Sequence, residues 1–292
     1  MKVTSTFSTF DYVPGGDPRQ RLDVFAPDPA TDLHTAVLVL HGGAFRLGDR
    51  TDVHPRCQAL AARGITAIAA GYRLQDSASW PGQLHDARAA LRWTHEHSGQ
   101  LGADTGRIAV QGHSAGGLLA LLLAGTAIRA RPDVTDDAAP IPAAVIAYYA
   151  PAALSLTPGP GDLPAPLLLG PHVTAEDAAA ASPLPHIEER FPPTILVHGA
   201  GDRFTPPASS LRLFDALTAA KVKSELHLIA GQDHEFDTTP RYGDTCAEVV
   251  SSFLRAQVVE PDQAEKEVLE ANPFATMPPP GSGPGAGGPG HH

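Results

Sequence analysis

Alternation is the feature that most limits how this chain can fold. Short runs of aliphatic and β-branched residues, each ending at glycine or a polar turn, alternate with longer stretches of helical spacing. "TAVLVLHGG" reads as a buried strand stopped by a glycine pair, and "RCQALAARG" as a helix closed by Gly64. "ITAIAAGYR", "RIAVQG", "PAAVIAYYA", "PTILVHGAGD" and "SELHLIAG" read as further strands. "PGQLHDARAALRWTHEH", "AGGLLALLLAGTAIRA", "PASSLRLFDALTAAK" and "DTCAEVVSSFLRAQ" read as helices between and after them. Such a succession predicts a mostly parallel sheet covered on both faces. Ahead of it, "TSTFSTFDYVP" and "QRLDVFAPD" read as an antiparallel hairpin.

Two stretches break the rhythm. Residues 151–193 are rich in Pro, Ala and Gly and read as an irregular insertion of the kind that walls an active site. The end, "MPPPGSGPGAGGPGHH", carries too little apolar content to fold. The expected organisation is therefore one α/β domain over 1–257, a peripheral segment with helical spacing over 258–274, and a disordered tail over 275–292.

The net charge of −11 and the lack of a basic cluster argue against nucleic acid as a partner. No run is long and apolar enough to span a bilayer, and the first residues lack the apolar core of a signal peptide, so a cytoplasmic location is expected. Cys57 and Cys246 have no metal-type spacing and read as buried free thiols, although sequence leaves a disulfide open. No metal or cofactor is called for.

The chemistry is expected where strands end, because an α/β sheet places ligands at the carboxyl ends of its strands. Ser114 follows "RIAVQG" and opens the next helix, within G-x-S-x-G. Composition alone would produce that motif somewhere in about one such chain in eight, so it needs support. A serine hydroxyl is a poor nucleophile without a base. His234, in "GQDHEF", lies in a loop after the last strand. His227 lies inside that strand, His198 in the preceding one, and His113 is too close in sequence to reach Ser114 Oγ. The imidazole in turn needs a carboxylate, and Asp202 stands at the tip of "PTILVHGAGD". Asp233 is adjacent to His234, and Asp215 lies within a helix. The order Ser114, Asp202, His234 is the one expected of an α/β-hydrolase. The glycine pair in "LVLHGGAF" and the N–H of Ala115 can then supply the donors that a tetrahedral intermediate requires.

"LVLHGGAF", "GYRL", "GHSAGG", "ASPLPHI", "PPTILVHGAGDRFTP" and "GQDHEF" together resemble the hormone-sensitive-lipase-like carboxylesterases. They are more similar still to the short bacterial esterases of the BD-FAE type, related to feruloyl esterases. The resemblance runs from Val37 to Leu254. It implies an α/β-hydrolase fold whose eight-stranded, mostly parallel sheet carries helices on both faces, with the 151–193 insertion over the active site. It also implies Ser114, Asp202 and His234 as catalytic triad and oxyanion donors at Gly43, Ala44 and Ala115, with Gly42 as a further candidate.

The chain departs from the larger members twice. About forty residues precede His41, too few for an N-terminal helical cap, which suggests a pocket roofed mainly by the insertion. Ala44 stands where many members have a third glycine, a change that leaves the backbone donor in place. Phe45, Trp80 and Phe204 are the leading candidate pocket walls, followed by Arg46, Tyr148 and Tyr149. The expected activity is hydrolysis of short-chain acyl or aryl esters through an acyl-enzyme, with a small-molecule ester as partner. The alternatives are an arylformamidase acting on N-formylkynurenine-type amides, a feruloyl or acetyl-xylan esterase, and a non-catalytic binding protein. The last would be expected to lack a triad member.

Overall fold

The computed structural model describes residues 7–129 and 139–272, together with 274, 275 and 277. Nearly all of the expected tail lies outside the described residues. In chain order the elements are β1 (Ser8–Asp11), β2 (Arg21–Phe25), β3 (Thr35–Leu40), α1 (His54–Ala61), β4 (Ile65–Ala70), α2 (Gly82–Glu96), β5 (Ile108–His113), α3 (Ala115–Arg129) and β6 (Val145–Tyr148). There follow β7 (Ala153–Ser155), β8 (Asp162–Pro164), α4 (Ala165–Leu169), α5 (Ala175–Ala180), β9 (Thr194–Gly199), α6 (Ala208–Ala219), β10 (Ser224–Ile229), α7 (Pro240–Leu254) and α8 (Pro261–Ala271).

Eight strands form one sheet in the order β1-β2-β4-β3-β5-β6-β9-β10. The hairpin strands β1 and β2 pair antiparallel, as do β2 and β4, and every other pairing is parallel. The central strands β3, β4, β5 and β9 are buried along their whole length. Their side chains divide by the two-residue period of a strand. Ala36, Leu38 and Leu40 of β3 join a core with α2 and α3, while Val37 and Val39 join a second core with α1 and α7. That two-sided burial is why these strands read as unbroken apolar runs. Helix α3 is buried almost all round, from Ala115 to Gly125. The last strand, β10, is only half-buried, and there His227 pairs with Glu225 at 3.0 Å.

The 151–193 insertion is more regular than expected. It holds the short parallel pair β7–β8 and the helices α4 and α5, the latter capped by Thr174 and Asp177 in a reciprocal box. A segment this rich in Pro and Ala gives little periodic signal, because its elements run only three to six residues. It docks beside the sheet end: Arg46 donates to the carbonyl of Pro166, Gln75 to that of Leu168, and Arg212 pairs with Asp162. Cys57 in α1 and Cys246 in α7 are buried free thiols. Burial pushes the Cys246 thiol up to about 12 and that of Cys57 further, which keeps both protonated and unreactive. Helix α8 buries none of its side chains. Among the described residues no helix is long and apolar enough to cross a membrane.

The chain runs from β3 out to β4 and then returns to β5 on the other side of β3. This reversal opens a crevice at the carboxyl ends of β3 and β5. The crevice requires very close backbones. A Cβ on Gly112 would stand 2.0 Å from the carbonyl oxygen of Gly116, and one on Gly116 would stand 2.4 Å from those of Leu40 and His41. Overpacking against buried backbone cannot relax through a rotamer change. Gly112→Ala is therefore expected to cost about 3 kcal/mol or more, read as a lower urea midpoint or loss of soluble protein. A loss below about 1 kcal/mol would show that β5 and α3 can separate freely.

Candidate active site

Ser114 occupies the one residue between β5 and α3, with φ 55° and 4% exposure. Its N–H donates to the carbonyl of Tyr148 (2.9 Å), and its carbonyl accepts the N–H of Leu118 (3.0 Å). The turn is thus fixed on both sides while Oγ stands at the N-terminus of α3, where the helix dipole favours negative charge.

Loops from two neighbouring strands bring the other residues to it. The turns after β9 and β10 are tied by backbone bonds from Ala200 to Ile229 (2.9 Å) and from Gly201 to Gln232 (2.8 Å). Asp233 strengthens the tie, accepting from the N–H groups of Arg203 (3.0 Å) and His234 (2.9 Å) while pairing with the Arg203 guanidinium. Among the described residues it makes no hydrogen bond to the His234 ring. Asp202 does: its Oδ2 accepts from His234 Nδ1 at 2.7 Å, and Ser114 Oγ donates to His234 Nε2 at 3.0 Å. Ser114, His234 and Asp202 therefore form one continuous hydrogen-bonded line.

Asp202 Oδ1 is held by the N–H groups of Phe204 (2.8 Å) and Thr205 (2.9 Å). Burial by itself would raise this carboxyl. Hydrogen bonds from His198 and His234, the His234 charge and the Thr205 N–H outweigh that, holding it well below the usual carboxylate range. His198 is fully occupied beneath it, with Nε2–H donating to Thr205 O (2.8 Å) near Asp202, and Nδ1 paired with Ser210 Oγ (2.7 Å).

The loop after β3 supplies amides. Gly43 (φ 106°), Ala44 (φ 54°) and Phe45 (φ 60°) all lie in the left-handed region. At Gly43 a Cβ would stand 2.1 Å from the carbonyl oxygen of Leu47, so only glycine fits. The Gly43 carbonyl anchors the turn by accepting from Arg46 and Leu47 (3.0 and 2.9 Å). Among the described residues, the N–H groups of Gly42, Gly43, Ala44 and Ala115 donate to no protein acceptor. His41 holds the loop from below. It stacks on Tyr72 (4.2 Å between ring centroids), donates from Nδ1 to Gly42 O (2.7 Å), and accepts the Tyr72 hydroxyl on its own carbonyl (2.7 Å).

The three leading pocket candidates separate in space. Phe204 is half exposed, with its ring 5.0 Å from that of His234. It borders a shallow depression of about 430 Å³ shared with Arg203, Asp233, His234 and Glu235. Trp80 lines a different cavity of about 350 Å³ against Leu169–Val173 of the insertion. Phe45 is wholly buried between Tyr72 and Trp80 and presents no surface to a substrate. Its place in a left-handed turn aims the ring into the core, which corrects its reading as a pocket wall. Tyr148 and Tyr149 are buried too, while Arg46 is exposed.

Sequence reasoning missed the group that supports His234 from beneath. The Tyr149 ring lies 4.5 Å from the His234 ring, and its hydroxyl donates to Asp237 Oδ1 (2.7 Å). Arg56, from α1, donates to Asp237 Oδ2 (2.6 Å), and His113 Nδ1 donates to the Tyr149 hydroxyl (3.2 Å). Nothing local marks Arg56 and Asp237 as partners, because 181 residues separate them.

The profile of the BD-FAE family matches residues 22–217. The chain belongs to the BD-FAE family. Among curated relatives of this BD-FAE member, Esterase LipI of Mycobacterium tuberculosis is 46% identical over 91 residues, 30% of this chain and 28% of LipI. The chain spans between 25% and 32% of the length of the first curated relatives it matches. A truncated carbohydrate esterase from gut microbiota superimposes with TM-score 0.73 at 19% identity, covering 86% of this chain and 98% of that one. The esterase Est2 of Thermogutta terrifontis, solved with propionate, gives TM-score 0.67 at 24% identity over 95% of this chain and 98% of that one. The BD-FAE member thus has the α/β-hydrolase fold.

The buried imidazole of His113 gives the protein a defined acid sensitivity. Burial, reinforced by the nearby Arg56 charge, lowers it to about 4 despite Asp237. In the unfolded chain the ring takes up its proton near pH 6.5, whereas the folded ring resists until about 4. Between those values the unfolded state holds the extra proton, so stability falls as pH drops from 6.5 to 4, by about 3 kcal/mol. Thermal unfolding across that range is expected to show the loss, and His113→Asn to reduce it, with the remainder coming from His41, whose burial also lowers its imidazole. An unchanged slope in the variant would assign the acid sensitivity elsewhere.

Proposed function

We propose that the chain is a serine carboxylesterase in which Ser114 is the nucleophile, His234 the general base and acid, and Asp202 the orienting carboxylate. The observation that carries this reading is the unbroken line from Asp202 through His234 to Ser114, beside the amides of Gly42, Gly43, Ala44 and Ala115, which donate to no protein acceptor among the described residues. His234 Nε2 takes the Ser114 proton as Oγ bonds to the ester carbonyl carbon. Nδ1–H stays on Asp202, whose charge stabilises the imidazolium. The carbonyl electrons move onto oxygen, and the amides of Gly43, Ala44 and Ala115 receive that charge, with Gly42 beside them. His234 then returns the proton to the departing alcohol. Water repeats the sequence on the acyl-enzyme and regenerates Ser114.

The surroundings favour a short acyl group. The depression beside His234 is shallow, about 430 Å³, and the wholly buried Phe45 ring occupies the space behind the amide loop. The favoured substrates are acetyl to about hexanoyl esters of small or aryl alcohols, by the general fit of pocket to ligand. A second reading, esters of sugars, is supported by the Trp80 cavity, which sets an aromatic face among Gln75, Ser79, His172 and Asp177.

Ser114→Ala is expected to lower p-nitrophenyl acetate turnover by about 10⁴-fold or more and to abolish fluorophosphonate labelling. Near-wild-type turnover in that variant would refute the mechanism. A p-nitrophenyl ester series should peak between acetyl and hexanoyl, and a maximum at long chains would refute the size argument. Acetylated xylo-oligosaccharides and N-formylkynurenine in the same panel separate sugar-ester and formamide hydrolysis from the primary reading.

A further inference from the structure

Glu235 follows the proposed base directly in sequence and adopts φ 55°, ψ 26°. Residues with a side chain rarely take this left-handed conformation, and glycine would take it without strain. Here it directs a carboxylate toward the reacting centre. Glu235 Oε1 lies 3.3 Å from the point where a Cβ on Gly42 would sit, and Ser114 Cβ lies 3.4 Å from that same point. Glu235 also lines the depression beside His234.

The other charges nearby are engaged. Asp233 is paired with Arg203, Asp202 with His234, and Asp237 with Arg56 beneath Tyr149. Arg56 senses the Glu235 charge but is committed to Asp237. Among the described residues, no hydrogen bond and no ion pair engages the Glu235 carboxylate. An exposed charge held in no ion pair projects its field into the space where a ligand binds.

We propose that Glu235 determines specificity by charge, making the site favour esters whose alcohol carries a positive group and disfavour those whose alcohol carries a negative one. The inference rests on the esterase reading and refines it. The alcohol side follows from the mechanism: the leaving oxygen must face His234 Nε2, which protonates it, and Glu235 borders the depression on that flank. Two unit charges a few ångströms apart in partly solvated surroundings shift relative rates by about fivefold to tenfold.

The test compares kcat/KM for three acetates of similar shape. Acetylcholine carries a cation, 3,3-dimethylbutyl acetate is its neutral isostere, and 3-sulfopropyl acetate carries an anion. Taking ratios to the neutral ester removes any common effect of a substitution on the chemical step. In Glu235→Gln the cation-to-neutral ratio is expected to fall about fivefold and the anion-to-neutral ratio to rise by a similar factor. Glu235→Gly, which also relieves the backbone strain, should shift both ratios the same way. In the wild type, about 1 M NaCl should move the ratios toward those of the variants. Hydrolysis of the neutral acetate with unchanged ratios in both variants would overturn the role of Glu235 and leave the esterase reading standing. No hydrolysis of these acetates or of p-nitrophenyl acetate by the wild type would overturn the esterase reading, and this inference with it.

Discussion

Gly112 and Gly116 let three backbone segments meet at one point: the end of β3, the end of β5 and the first turn of α3. Any side chain on either residue would push the strand end away from the helix. The serine turn depends on that contact, because Ser114 is the single residue between β5 and α3. So does the amide loop. Its carbonyl neighbours at Leu40 and His41 are the atoms that Gly116 approaches. One steric condition therefore sets the distance between the candidate nucleophile and the groups that would receive the developing charge. Such distances must hold to a fraction of an ångström for preorganised donors to act on a transition state.

A second constraint lies beneath the imidazole. Asp237 is almost fully buried, which would by itself raise its carboxyl. The hydrogen bonds from His113 and Arg56 and the Arg56 charge reverse this and hold it far below the carboxylate range. Removing Arg56 would leave an uncompensated carboxylate in the interior, a larger penalty than the pair's net contribution to stability. The cluster also joins distant elements. Arg56 comes from α1, Tyr149 follows β6, His113 ends β5, and Asp237 lies in the loop leading to α7. The His234 ring rests on Tyr149, so its seat is fixed by four separate parts of the chain.

The sheet was legible in the sequence because its central strands are buried on both faces and so spell continuous apolar runs, as "TAVLVL" does. Ser114, Asp202 and His234 could be located because each stands at a strand end, where chemistry gathers in this class of fold. What stayed hidden was of three kinds. Partnerships such as Arg56–Asp237 join residues far apart in sequence, and no local pattern announces them. Side-chain direction in irregular turns was hidden as well. Phe45 reads as a pocket aromatic from its place beside the glycine loop, yet φ 60° turns it inward onto Tyr72 and Trp80. Likewise, the insertion's strands and helices are too short to leave a period.

Backbone strain shows the same concentration around the site. Seven non-glycine residues take positive φ among those described, and five of them, Ala44, Phe45, Ser114, Tyr149 and Glu235, stand at or directly behind the site. Each such residue costs about 1 kcal/mol or more, so together they consume a sizeable part of the net stability of a typical domain. Four of the five are held on the backbone by bonds outside their own side chains. Phe45 O accepts from Gln75, Ser114 N–H donates to Tyr148, Tyr149 N–H donates to Val197, and Glu235 O accepts from Thr238. The rigid parallel sheet supplies several of those partners. Residue identity at these five positions is therefore poorly determined by local preference, since a left-handed turn would by itself select glycine. A side chain kept in such a conformation implies a compensating use. For Ser114 that use is the proposed nucleophilic role, and the same reasoning applied to Glu235 points to a carboxylate whose position matters more than the strain of holding it there.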